Sequence, residues 1–491
     1  MLKAILRLTK QSFIYGIGQV LSKAIVIILL PLHTNFINPG EYGVFNVLLV
    51  FIGFMAIAYS FGLNIAFLQF YLLEPDLKKK NKYFSSAFFI TLLIALVLSL
   101  FIYSFKASLA KLLFHTEQYK YLMNLVIVIL SFDALILLSK NILRAEERAV
   151  FYGFVSIFNV AINCVLNIIF VVHYRYGVKG ILIAYLLSSA VTFLFLLPIT
   201  VKHLSATISI EMLRKMLIFG LPFLPSTLAL FLIDSIDRNL IERYLGLEAA
   251  GIYGAGYKVS LVIKLFINAF NVAWVPFFLS MADDENAKNI YSKVLTYFTI
   301  ICSFVFLFFS MFMDQIVRVK IFGYTIVGQE YWGSLQIVPV VILAYVFYGF
   351  YVNFQVSIFL KHKTKYFAYI NIAGAAVNIV SNIYLIPTLK LMGAAYATLL
   401  SYVLMAVWLY IITQRIYPIQ YELKKILKIG LISLIIFLTY QCVDLPNAMM
   451  LKTILIFIFG LSIYLFKILD AKEIQTLKYL VKKFHGKIST R

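Results

Sequence analysis

Charge is what this sequence has least of, and acid least of all. Only 13% of its 491 residues are charged, with 21 Asp and Glu against 43 Lys and Arg. A soluble domain carries about 25% charged and about 45–50% apolar residues. Here 63% are hydrophobic and the mean hydropathy is +0.94, so the solvent is lipid. Cysteine is also scarce. Cys164, Cys302 and Cys442 lie scattered in apolar runs, with neither a disulfide framework nor metal-ligand spacing. G-x-G-x-x-G, H-E-x-x-H and G-x-S-x-G are all missing, which removes three common catalytic chemistries. We expect no catalytic residue, no metal site and no cofactor. Long polar segments are missing too: the longest exterior stretch, about 314–333, is too short for a domain.

What the chain has instead is apolar windows. A spanning helix needs about 20 mostly apolar residues, and fourteen such windows run from 12–33 to 449–468. Backbone groups must be satisfied within lipid, so the fold class is an all-α integral membrane bundle of about 14 transmembrane helices. With the N-terminus inside, cytoplasmic segments hold 29 Lys and Arg and exterior loops 11. This is the positive-inside asymmetry, and it puts both termini in the cytoplasm. The net charge of +22 therefore sets topology and attracts anionic lipid, and nucleic acid is not an expected partner. The run after Lys3, Arg7 and Lys10 is too long for a signal peptide and is kept as the first span. Residues 1–11 and 470–491 alternate apolar and basic positions as interfacial helices.

Leu217–Ser280 is the most informative stretch. It reads as two apolar helices joined by a charged corner, Asp234-x-x-Asp237-Arg238, with Lys258 and Lys264 inside the second run. Ionisable groups within spans cost about 2.5–3.5 kcal/mol each, so they usually face a wet interior or one another. Lys23 in the first span and Asp133 in the fourth belong to the same class. In the second span, Asn46, Gly53, Ser60 and Asn64 lie broadly on one face, and Asn38–Gly43 before it reads as a turn. Asn159, Asn163 and Asn167 form an amide stripe at i, i+4 and i+8, suited to interhelical hydrogen bonds.

The chain repeats itself. Asn163 and Asn167 match Asn378 and Asn382; Gly180, Ala184 and Ser188 match Gly393, Ala397 and Ser401. EYGVFN at 41–46 echoes AAGIYG at 249–254. We therefore expect an N-lobe at 1–200 with six spans and a C-lobe at 201–412 with six more. Residues 413–491 hold two further helices and the tail. An even number of spans per copy gives both the same orientation, a known transporter plan with the substrate path between the halves.

Three blocks carry a family resemblance: YGIGQVLSKAIVIILLPLHTNFINPGEYGVFN, IDSIDRNLIERYLGLEAAGIYGAGYKVS followed by AFNVAWVPFF, and NIVSNIYLIPTLKLMGAAYATLLSY. Together they resemble Wzx-type flippases of the multidrug/oligosaccharidyl-lipid/polysaccharide exporter superfamily. The resemblance implies a MATE-like fold of two pseudo-symmetric six-helix lobes in a bacterial inner membrane. It implies movement of an undecaprenyl-pyrophosphate-linked oligosaccharide between leaflets by alternating access, driven by an H+ or Na+ gradient. Contact with a polysaccharide polymerase and a chain-length regulator follows from the family only. O-antigen, capsule and other polymers stay open as products.

Carrying a diphosphate and sugars across about 30 Å of hydrocarbon requires a wet, cationic path. Lys23, Lys258 and Lys264, with Arg238 toward the exterior rim, are the candidate anion track, and Asn268 and Asn64 are further candidate substrate-binding residues. Asp234, Asp237 and Asp133 are candidates for coupling or gating. Against this stands a plainer reading, in which the lysines snorkel to an interface or pair with those carboxylates. Two rival functions fit the pattern less well. A drug or cation antiporter of the same superfamily would want acidic rather than basic spans. A multispan polymerase would need a sizeable exterior loop.

Overall fold

The computed structural model describes residues 25–205, 207–443 and 448–469. Lys23 and the two interfacial segments, 1–11 and 470–491, lie outside the described residues. Ten helices among those described are long and apolar enough to cross a membrane. One of them, Lys365–Ile416, is 52 residues long and breaks at Lys390 (φ 52°, ψ −131°), three residues after Pro387. It corresponds to two spans, since 52 residues would make about 78 Å of helix. With Ile25–Phe36, Leu423–Cys442 and Met449–Leu465, each of the fourteen expected windows holds a helix among the described residues. Exposed Leu, Ile and Phe line the spans, as a lipid-facing surface requires.

The chain divides into two compact units. One comprises 1–283 with 317–418; the other comprises 284–316 with 419–491. The helix Ala287–Arg318 thus falls, but for its last turn, in the second unit. There Thr296 donates to Glu422 Oε2 (2.7 Å), Ser292 donates to the Gln420 carbonyl (2.8 Å), and Lys452 donates to Gln315 (2.8 Å). These bonds tie the ninth-window helix to the last two.

Within the first unit, two segments read as corners are helix. Asn38 caps the helix Pro39–Ser60 by accepting from the Glu41 amide (2.8 Å), and Pro39 takes its first turn. Proline is pre-set for that position and asparagine for the cap, so the expected turn is a helix start. The charged segment Asp234–Arg243 likewise lies inside the helix Leu224–Leu245. The chain turns only at Gly246, whose φ of +88° disfavours any side chain. The next helix then runs over Leu247–Ser280.

The repeat is visible in the packing. Asn167 donates to the carbonyl and the side chain of Asn163 (both 2.9 Å), and Asn382 does the same to Asn378 (2.9 and 3.0 Å). The helices Pro39–Ser60 and Leu247–Ser280 meet through a reciprocal contact. A methyl at Gly43 would strike the Leu247 carbonyl, and one at Gly251 would strike the Pro39 carbonyl. The two glycines are equivalent positions of the repeat, as are Pro39 and Leu247. Close approach of this kind through small residues is how membrane helices gain packing without a hydrophobic drive.

Candidate functional site

The helix Leu224–Leu245 places Asp234, Asp237 and Arg238 at i, i+3 and i+4, and so on one face. Leu247–Ser280 folds back beside it and presents Tyr253, Tyr257 and Lys264. Val338–Phe354 adds Tyr345, and the Lys365–Ile416 pair adds Tyr402. The result is a caged carboxylate. Lys264 Nζ lies 2.5 Å from Asp234 Oδ2. The phenols of Tyr402, Tyr345 and Tyr257 donate to Oδ1 at 2.7, 3.1 and 3.3 Å. Asp234 and Lys264 keep 26% and 21% of their side-chain surface exposed.

Asp237 is fully buried and held differently. Its Oδ1 accepts from the Arg238 guanidinium (2.8 Å) and amide (2.9 Å), and its Oδ2 from Tyr253 (2.6 Å). Arg238 also donates to the Asp234 carbonyl and stacks on Tyr257, 3.8 Å from the ring centre. The arginine placed at a rim by its position in sequence is thus buried and committed to its own helix.

Lys258 is the exception. It points from the second repeat into the first, where its ammonium donates to Tyr42 Oη (2.7 Å) and Asn46 Oδ1 (2.9 Å). The rings of Tyr42 and Phe45 lie 4.3 and 5.0 Å away. Among the described residues no carboxylate pairs with it. His33 continues the contact, sharing a 2.9 Å hydrogen bond with Asn167 and packing on Tyr42 and Phe45. By formal count, three basic side chains (Arg238, Lys258, Lys264) gather with two carboxylates (Asp234, Asp237).

Five of the residues singled out in the sequence are therefore brought together. The others lie apart. Asp133 accepts from Tyr185 and Ser189, both at 2.8 Å, within the first repeat. Asn64 lies past a helix break at Phe61 and Gly62 (φ 48° and 74°), which takes it off the Asn46 face; its carbonyl accepts from Asn141 (3.1 Å). Asn268 sits one turn beyond Lys264, its Nδ2 without a partner among the described residues. Sequence reasoning missed Tyr42, Tyr253, Tyr345 and Tyr402. The i, i+4 pair of Tyr253 and Tyr257 facing the acidic helix was the available signal.

One end of the seam is closed by a clasp. The antiparallel hairpin Lys320–Ile321 and Tyr324–Thr325 lies against the end of the first helix. Asn35 donates to the Thr325 carbonyl (2.7 Å), Gly328 N to Thr34 Oγ1 (3.0 Å), and Tyr331 to the Ile37 carbonyl (2.7 Å). A polar cleft of about 710 Å3, lined by Asn38, Gln329 and Glu330, adjoins it.

The sequence profile described as Polysaccharide biosynthesis protein matches residues 8–282. The chain belongs to this family. Its fold is shared with transporters of the MOP superfamily. A structure titled "Lipid II flippase MurJ, inward closed conformation" aligns with a TM-score of 0.75 at 17% identity, over 92% of this chain and 98% of that one. An inward-facing multidrug resistance MATE family transporter of the MOP superfamily gives 0.65 at 16% identity, over 80% and 95%. Lsg locus protein 1 of Haemophilus influenzae is 22% identical over 358 residues, covering 70% of this chain and 85% of the relative. The family match spans nearly all of the first repeat together with the helices that carry Asp234, Asp237, Arg238, Lys258 and Lys264.

Proposed function

We propose that this protein moves an undecaprenyl-pyrophosphate-linked oligosaccharide from the cytoplasmic to the outer leaflet of a bacterial inner membrane. Residues 1–200 and 201–412 act as the two rocking lobes, both termini remain cytoplasmic, and the polyprenyl tail stays in lipid. The observation that carries the reading is Lys258: a buried ammonium at the seam between repeats, bonded only to neutral oxygens. A cation in that setting is a point charge suited to hold and release a phosphate. Lys264 and Arg238 become available when Asp234 and Asp237 change partners, so those two carboxylates are the coupling or gating groups for H+ or Na+. Lys23 and Asn268 extend the track, and Asp133 is a further coupling candidate. The protein is a carrier rather than an enzyme. A polymerase and a chain-length regulator are its natural neighbours, with O-antigen or capsule as product.

The test is flipping in proteoliposomes, using a polyprenyl-diphosphate-linked oligosaccharide whose sugar is accessible to an external glycosidase. Expected is protein-dependent exposure of sugar initially inside. Uptake of a cationic dye in the same vesicles, without lipid flipping, would instead establish the antiporter reading.

A further inference from the structure

Between the two arms of the kinked Lys365–Ile416 pair runs an apolar groove of about 560 Å3, lined by Tyr369, Ile372, Trp408 and Ile412. It shares no residue with the seam cluster. Tyr369 and Trp408 are 59% and 39% exposed, so the trough opens sideways, as a lipid-facing groove must. At one end stand Arg415, which lines it, Lys361 and Lys363 of the preceding loop, and Lys365 at the helix start, all exposed. Lys361 lies 5.5 Å from the Tyr417 ring centre and Lys365 lies 5.8 Å from that of Tyr366. Neither 361–366 nor 413–418 contains an acid, and no ion pair reaches these four cations among the described residues. The positive-inside count assigns this end to the cytoplasm.

A zwitterionic headgroup would bring its own ammonium to this cluster, whereas an anionic one leaves a phosphate charge for it to neutralise. Basic groups at the inner surface attract anionic lipid, and a guanidinium can hold a phosphate through two parallel bonds. We propose that the groove binds an anionic phospholipid of the surrounding bilayer. Arg415 and Lys365 hold its phosphate, and one acyl chain lies along Ile372 and Trp408. The charge is matched at the mouth, and the apolar trough below it is filled.

Trp408 makes the proposal measurable, because the chain has only three tryptophans. With Trp274→Phe and Trp332→Phe, the full-length protein is reconstituted with phosphatidylglycerol or phosphatidylcholine brominated on the acyl chain. Expected is stronger quenching of Trp408 by the brominated phosphatidylglycerol, a preference of about five-fold or more, abolished by Lys365→Gln with Arg415→Gln. Equal quenching by the two lipids would overturn the proposal, as would a preference that survives the double substitution. Displacement by unlabelled undecaprenyl phosphate at far lower mole fraction than by unlabelled phosphatidylglycerol would also overturn it, assigning the groove to the polyprenyl substrate. Should the tryptophan variant not fold, mass spectrometry of the otherwise wild-type protein replaces quenching. One phosphatidylglycerol fewer after Lys365→Gln with Arg415→Gln supports the site, and an unchanged count refutes it.

Discussion

Replacing Lys258 by Met removes the ammonium but keeps a long flexible side chain in its place. A lysine within a span costs about 2.5–3.5 kcal/mol on insertion scales. Its bonds to Tyr42 and Asn46 return about 1.5–3 kcal/mol each, as hydrogen bonds to a charged group do. About 4.5 kcal/mol returned against about 3 kcal/mol spent leaves a modest net, so the variant should be less stable than wild type by about 1.5 kcal/mol. Function should respond otherwise. A charge-assisted bond to phosphate of the same size corresponds to about a 10- to 100-fold loss in apparent affinity for the lipid-linked sugar. Thermal unfolding in detergent measures the first quantity, and glycosidase access in proteoliposomes over a substrate series measures the second. A stability loss above about 3 kcal/mol, the range expected for a broken buried ion pair, would make Lys258 a structural tie. Unchanged flipping by a stable protein would take it off the path.

Asp234 and Lys264 should couple strongly. Asp234→Leu alone leaves an ammonium and three phenols without their acceptor, at about 3 kcal/mol, while Asp234→Leu with Lys264→Met should cost less than the sum of the singles. Additivity within about 0.5 kcal/mol in a thermal-unfolding cycle would refute the pairing. Gly251→Ala should destabilise by about 1–3 kcal/mol through overpacking against Pro39, whereas Gly430→Ala, where a methyl meets open space, should gain up to about 1 kcal/mol from helix propensity. Asn35→Cys with Thr325→Cys, in a chain whose native cysteines are replaced by alanine, should cross-link with a short bifunctional thiol reagent and stop flipping. Flipping at full rate by the cross-linked protein would show that the clasp need not open.

The helices were legible because their apolar windows match the bilayer thickness, and the repeat because amides at fixed spacing survive in both copies. Asp234, Asp237, Lys258 and Lys264 stood out as charges in apolar runs. Their partners did not. Tyr345 and Tyr402 come from positions 111 and 168 residues away from Asp234, among 33 tyrosines, and no local pattern distinguishes these two from membrane-facing ones. Lys258 lies six residues before Lys264, about 240° around the helix, which is why one turns to Asp234 and the other to the first repeat. The corners at Asn38–Gly43 and Asp234–Arg243 were misread for one reason: Pro, Gly and charge punctuate soluble chains, whereas here they begin a helix or line its polar face.

Where Gly43 and Gly251 meet, backbone bears on backbone, each amide nitrogen lying 2.9–3.2 Å from where the other residue's β-carbon would stand. Interlocked side chains resist a change of crossing angle because each must climb out of its groove. Bare surfaces have no such teeth. The angle between the two copies can therefore shift about this point without any rotamer there changing, in the manner of a plain bearing. A methyl on either glycine would act like grit in it.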